Sequence, residues 1–133
     1  MASKDKGMNM VKYTDKPECI YIATRLTAPH PIGYLHNLQE SIDVGIEVWK
    51  KGHYPYIPGL DFILIMHIKD IKVEQIYKSS LDWMSRGDSI LVHNGYHDEP
   101  KSPGVIKEVE VAKESGLKFY WNIDEIPVVR KND

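Results

Sequence analysis

The chain has 133 residues, which at about 100–200 residues per domain describes one domain. Hydrophobic residues make up 42% and charged residues 27%, an ordinary globular balance that excludes a wholly disordered or fibrous chain. Lys and Arg number 17 against 19 Asp and Glu, so the net charge of −2 carries no general basic footprint for nucleic acid. The longest apolar run, Phe62-Ile63-Leu64-Ile65-Met66, is far short of the ~20 residues a membrane helix needs. The first 18 residues are polar, so no signal peptide is expected. The lone cysteine, Cys19, cannot form an internal disulfide, and a reducing cytoplasm is the expected location.

Residues 1–18 read as a flexible lead-in, 19–127 as the domain and 128–133 as a tail. Cys19-Ile20-Tyr21-Ile22-Ala23 is a buried-strand run. Asn37-Leu38-Gln39-Glu40 resembles a capping box that opens a helix. Leu38, Ile42, Gly45, Ile46 and Trp49 follow at helical spacing, and Gly52 stops the helix. An extended segment at residues 53–57 is broken by Pro58-Gly59, and residues 60–70 fit either a helical turn or a strand.

Val73, Ile76, Tyr77, Ser80, Leu81 and Met84 define a second amphipathic helix, and residues 89–93 the next strand. After a polar loop, Ser102-Pro103-Gly104 opens a third helix that ends at Gly116, and residues 117–121 form the last clear strand. Strands and helices alternate throughout. This predicts an α/β fold, doubly wound around a mostly parallel, Rossmann-like sheet. Ligands of such sheets gather outside the carboxyl ends of the strands.

Val105, Glu108, Val109 and Ala112 fall on one helix face. A glutamate on an apolar stripe is anomalous, because a lone buried carboxylate is costly. One reading aims Glu108 into the crevice; the other puts it at the stripe's edge, reaching solvent. Ser102 and Gly104 start a helix whose free N–H groups suit a phosphate or carboxylate, although an ordinary Ser-Pro start needs no ligand. Tyr21 sits mid-strand, either packed in the core or orienting a carboxylate at the crevice floor.

Thr24, Arg25 and Thr27 line the loop after the first strand. Arg25 could bind an anion or form a surface salt bridge. Ser80, on the inward stripe of the second helix, either satisfies itself on the helix backbone or faces the pocket. His93 and His97 flank Asn-Gly in a loop and do not share a helix face, so no metal site is expected. Cys19 reads as a small buried hydrophobe rather than a nucleophile.

In their order and spacing these segments resemble the nucleoside 2′-deoxyribosyltransferase superfamily, which includes the 2′-deoxynucleoside 5′-monophosphate N-glycosidases. The matching residues are Ile20-Tyr21-Ile22-Ala23, Gly52-His53-Tyr54-Pro55-Tyr56-Ile57-Pro58 and Ser80-Leu81-Asp82-Trp83-Met84. They continue through Asp88-Ser89-Ile90-Leu91-Val92, Ser102-Pro103-Gly104-Val105 with Glu108 and Ala112, and Gly116-Leu117-Lys118-Phe119-Tyr120.

The resemblance implies cleavage of the bond between a base and a (deoxy)ribose, with a glutamate attacking the anomeric carbon to form a glycosyl-enzyme. Glu108 matches that nucleophile, Tyr21 the tyrosine that orients it, and Ser102, beside Gly104, the serine that helps hold a 5′-phosphate. Hydrolysis is expected ahead of transfer to a second base. No metal or organic cofactor is implied, and a homodimer or higher homo-oligomer is.

Two departures stand out. Counting back from Asp88 to the family's acidic position reaches Ser80, so the aspartate associated with proton transfer to the base is replaced. The family's phosphate-binding arginine, two positions beyond Arg25, is Thr27 here. General-acid help typically contributes ~10²–10⁴-fold, so the first departure opens a second expectation: a nucleotide-binding or sensing protein of little or no activity. A third is an interaction domain, since 8 tyrosines and 3 tryptophans leave aromatic surface for partners.

Overall fold

The structure is a computed structural model that describes residues 10–131, the side chains of Phe62 and Ile65 excepted. The first half of the expected lead-in, residues 1–9, and the last two residues of the tail lie outside the described residues.

The elements run β1 (Tyr13–Thr14), β2 (Cys19–Ala23), α1 (Pro31–Lys50), β3 (Tyr54–Tyr56), α2 (Phe62–Ile65), α3 (Val73–Ser85), β4 (Ser89–Val92), α4 (Pro103–Glu114), β5 (Lys118–Tyr120) and β6 (Val128–Val129). The main sheet has the order β3-β2-β4-β5 and is parallel throughout. β1 and β6 form a separate parallel pair, which draws part of the expected lead-in and tail into regular structure.

β2 is central, and covering both its faces explains why it reads as an unbroken apolar run. Ile20 and Ile22 pack with Val48 of α1, Leu91 and Tyr120 on one side. Tyr21 and Ala23 pack with Met84 of α3 and with Val105, Val109 and Ala112 of α4 on the other. Successive side chains of a strand point to opposite faces, so these two clusters lie on opposite sides of the sheet. Each buried isoleucine contributes roughly 1.5–3 kcal/mol.

Three details differ from the sequence reading. α1 begins at Pro31, with His30 as its cap, and the Asn37 box lies inside it. Proline's fixed φ suits a first helical residue, and Asn37 spends its side chain elsewhere, donating to Leu26 O at 3.0 Å. The buried face of α1 runs through Ser41, Gly45 and Val48, leaving Ile46 and Trp49 exposed. Cys19 is exposed rather than buried, because it opens β2 at the uncovered amino end of the sheet. The ambiguous segment holds the single helical turn α2.

Candidate active site

The cleft of interest lies beyond the carboxyl end of β2, between α3 and the start of α4. It spans about 680 Å³ of space, part of it open solvent. Thr24 and Thr27 enter from the loop after β2, Tyr77 and Ser80 from α3, and Ser102, Gly104 and Glu108 from α4. Leu26, Pro58, Val73, Ile76 and Val105 complete largely apolar walls.

The position of Glu108 follows from the local sequence. Ser102 caps α4 by accepting the Val105 N–H at 3.3 Å, and Pro103 takes the first helical position. That start places Val105, Glu108, Val109 and Ala112 on the buried face. Glu108 is 5% exposed. The Tyr21 hydroxyl donates to its Oε2. Among the described residues Oε1 has no partner.

Burial pushes the Glu108 carboxyl up to about 8, and the Tyr21 hydrogen bond pulls in the opposite direction. At neutral pH burial therefore favours the protonated carboxyl, while Oε2 accepts from Tyr21. Tyr21 is itself held well above the usual phenol range, first by burial and then by the charge of Glu108. That direction favours the protonated, donating phenol. Its ring stacks on Tyr56 with centroids 5.5 Å apart, and Tyr56 donates to Asp61 Oδ2 at 2.6 Å.

Of the residues singled out in the sequence, Thr24, Thr27, Ser80, Ser102, Gly104 and Glu108 line one cleft, and Tyr21 touches it through Glu108. Arg25 does not line it. Its guanidinium is held by Asp98 Oδ2 at 2.6 Å and by the Pro100 carbonyl at 3.2 Å. The salt-bridge reading of Arg25 is thus the one the geometry realises. Ser80 combines both readings, donating to Tyr77 O at 3.0 Å while lining the cleft. Thr24 is 6% exposed, and its hydroxyl has no hydrogen-bond partner among the described residues.

Among the described residues no Lys, Arg or His side chain lines the cleft. His93 instead pairs with Glu40 at 2.8 Å. Among the described residues no three His, Cys, Asp or Glu side chains assemble as a metal-holding group.

Sequence reasoning missed Tyr77 as a site residue, because its periodic position marked it only as part of a buried stripe. The signal was its polar tip, three residues from Ser80 on the same inward face.

No family model, curated protein or solved structure matched the chain.

Proposed function

We propose that the protein cleaves the N-glycosidic bond of a (deoxy)nucleoside 5′-monophosphate, with Glu108 as nucleophile. One observation carries the reading: a buried carboxyl in the cleft lining whose one oxygen accepts from Tyr21 while the other has no partner among the described residues. A structural carboxylate would be expected to satisfy both oxygens, because an unpaired polar atom in the interior is costly.

In the proposed reaction ionised Glu108 attacks the anomeric carbon through Oε1, and the bond to the base breaks with its electron pair leaving on the base nitrogen. Tyr21 fixes the carboxylate's orientation through Oε2. Water then releases the sugar from the glycosyl-enzyme. Hydrolysis is our first reading; base exchange is tested by adding a second base. Neither step calls on a metal or cofactor.

The resemblance to the nucleoside 2′-deoxyribosyltransferase superfamily supports this chemistry, and a doubly wound, Rossmann-like sheet of that type accords with the β3-β2-β4-β5 order. β2 and β4 lie side by side where the order reverses, and their carboxyl-end loops flank the cleft. We place the protein in the cytoplasm as a homodimer or larger homo-oligomer. Sedimentation at a monomer mass of 15.3 kDa would reject the oligomer.

The decisive experiment is base release from a panel of ribo- and deoxyribonucleosides and their 5′-monophosphates, with Glu108→Ala as control. Base from the native protein alone supports the reading; no base from any compound sinks it. Ser80 favours a second reading, a nucleotide-binding protein without turnover, because this cleft residue is a hydroxyl at the position the resemblance gives to the acid that protonates the base. Thermal stabilisation by nucleotides without base release would select it.

A further inference from the structure

We propose that the outward face of α1 is the seam of a homodimer, in which Ile32, Leu35, Ile42, Ile46 and Trp49 pack antiparallel against the same residues of a second copy. The inference rests on the oligomer part of the reading above and is independent of the proposed chemistry.

The argument begins with spacing. Ile32, Leu35, Gln39, Ile42, Ile46 and Trp49 recur at alternating steps of three and four, and all but Gln39 are apolar. That is the period of a two-helix seam, narrower than the stripe with which a helix lies on a core. α1 already has its core face, through Ser41, Gly45 and Val48. By the 3.6-residue turn the seam centres roughly 120° around the helix from it. The seam is open to solvent: Ile32 is 67%, Leu35 61%, Ile46 43% and Trp49 70% exposed.

The pattern is its own complement. A two-fold axis passing midway along the seam sets Ile32 opposite Trp49, Leu35 opposite Ile46 and Gln39 opposite Ile42, each pair made twice. A slip of one heptad leaves an apolar end of the seam unpaired on each copy, so this register buries the most. It also brings His36 of one copy beside Asp43 of the other, a donor facing an acceptor on both sides of the axis. The two helix dipoles run opposite, so each positive end lies near a negative one.

From Ile32 to Trp49 the seam runs about 26 Å. Its flank is apolar too. Leu38 and Gly45 lie between the core face and the seam; a Cβ on Gly59 would meet Leu38 Cδ1 at 2.7 Å, and one on Gly45 would meet Ile57 Cδ1 at 2.3 Å. These contacts run residues 57–59 beside the seam, and the exposed Leu60, Ile63 and Leu64 follow them in the chain. A seam of this length with such a flank approaches the roughly 800 Å² per partner of a stable interface. A membrane surface is the other occupant an apolar helix face can have. On α1 the polar side carries Glu40, Asp43 and Glu47, and Lys50 there pairs with Glu47 at 3.3 Å. Anionic headgroups repel such a rim.

The test is analytical sedimentation of the native protein, Leu35→Glu and Ile46→Glu. The native protein should sediment as a dimer, at twice the 15.3 kDa chain mass. Each variant sets a carboxylate against an apolar side chain at two places, and should raise the dissociation constant at least about 100-fold. Both side chains are exposed in the single chain, so far-UV circular dichroism should be unchanged, which separates dissociation from unfolding. Register is read by cross-linking in a Cys19→Ser background. Ile32→Cys mixed with Trp49→Cys should join on mild oxidation, and neither variant should join to itself.

A native monomer overturns both this proposal and the oligomer reading, and its binding to phosphatidylglycerol vesicles would assign the face to a membrane. A native dimer untouched by Leu35→Glu and Ile46→Glu overturns this assignment alone and leaves an oligomer built elsewhere on the surface. Self-joining of either cysteine variant, or no joining in the mixture, overturns the antiparallel register. Base release, present or absent, changes none of these outcomes.

Discussion

Tyr21 donates its hydroxyl hydrogen to Glu108 Oε2 although 87 residues separate the two in the chain. That bond is what draws the Glu108 carboxyl toward ionisation, against a burial that pushes it up to about 8. Tyr21→Phe leaves the burial unopposed while preserving a ring to stack on Tyr56. The ionisation of Glu108 then moves above about 8, and the rising limb of the pH–rate profile moves with it. At pH 7 base release should fall roughly 10-fold or more, since a hydrogen bond to a charged group is worth about 1.5–3 kcal/mol. Paired pH–rate profiles of base release check this, and coincident limbs would contradict it.

Glu108 also makes stability depend on pH. Its folded-state value of about 8 lies above the ordinary 4.5, so between these values the native state holds a proton that the unfolded chain has lost. The stabilisation is complete below about 4.5 and disappears as pH rises to about 8. The slope is about 1.4 kcal/mol per pH unit, several kcal/mol across the window. Glu108→Gln keeps the size and an acceptor for Tyr21 but cannot titrate. Urea midpoints of the variant should lose this slope while the native protein retains it, and base release should vanish at every pH.

Ser80 is 2% exposed and shares the cleft with Glu108. Ser80→Asp introduces a second carboxyl able to deliver a proton to the departing base. Base release should rise about 10²-fold, the lower end of general-acid effects. Two neighbouring carboxyls resist ionising together, so stability should fall as pH rises through neutrality. Rates and urea midpoints measured on one preparation test both halves; a slower Ser80→Asp variant would show that base protonation does not limit the proposed reaction.

His53 is fully buried at the far end of the sheet. Its Nδ1 accepts the Glu18 N–H at 2.9 Å, so Nε2 carries the hydrogen and donates to the Pro127 carbonyl at 2.6 Å. His53→Leu fills the volume but orphans both backbone groups. At about 1–3 kcal/mol for each, the variant should lose roughly 2–6 kcal/mol of stability. Turnover per folded molecule should be unchanged, because the ring lies away from the cleft. A urea midpoint within error of native would refute this.

The parts legible in the sequence were those with local causes. The buried face of α4 follows from one cap, one proline and the 3.6-residue period, so Val105, Glu108, Val109 and Ala112 coincide with the predicted stripe. The β2 run and the stops at Gly52 and Gly116, with φ of +95° and +73°, were legible for the same reason.

What failed depended on distant neighbours. The Asn37 box was a decoy because the loop after β2 supplies carbonyls for the Asn37 side chain to bond. Trp49 looked like core, yet the face of α1 is set by where the sheet lies, and Trp49 is 70% exposed. The sequence left Arg25 with two readings and gave no partner that would choose between them. Asp98 lies 73 residues beyond Arg25, and nothing near Tyr77 in sequence indicated that it would stand beside Gly104. In the sequence only the resemblance pairs Tyr21 with Glu108.

The all-parallel pairing has a kinetic consequence. Among the described residues no two paired strands are joined by a hairpin, so every ladder closes a long loop before it returns any contact energy. Central β2 pairs Cys19 with Tyr54 on one side and Ile20 with Ser89 on the other. During synthesis β2 therefore waits with one edge open until Ser89–Val92 leaves the ribosome. Chains of this topology fold more slowly than helical bundles of equal length, and their interrupted form exposes an apolar strand edge to whatever is nearby.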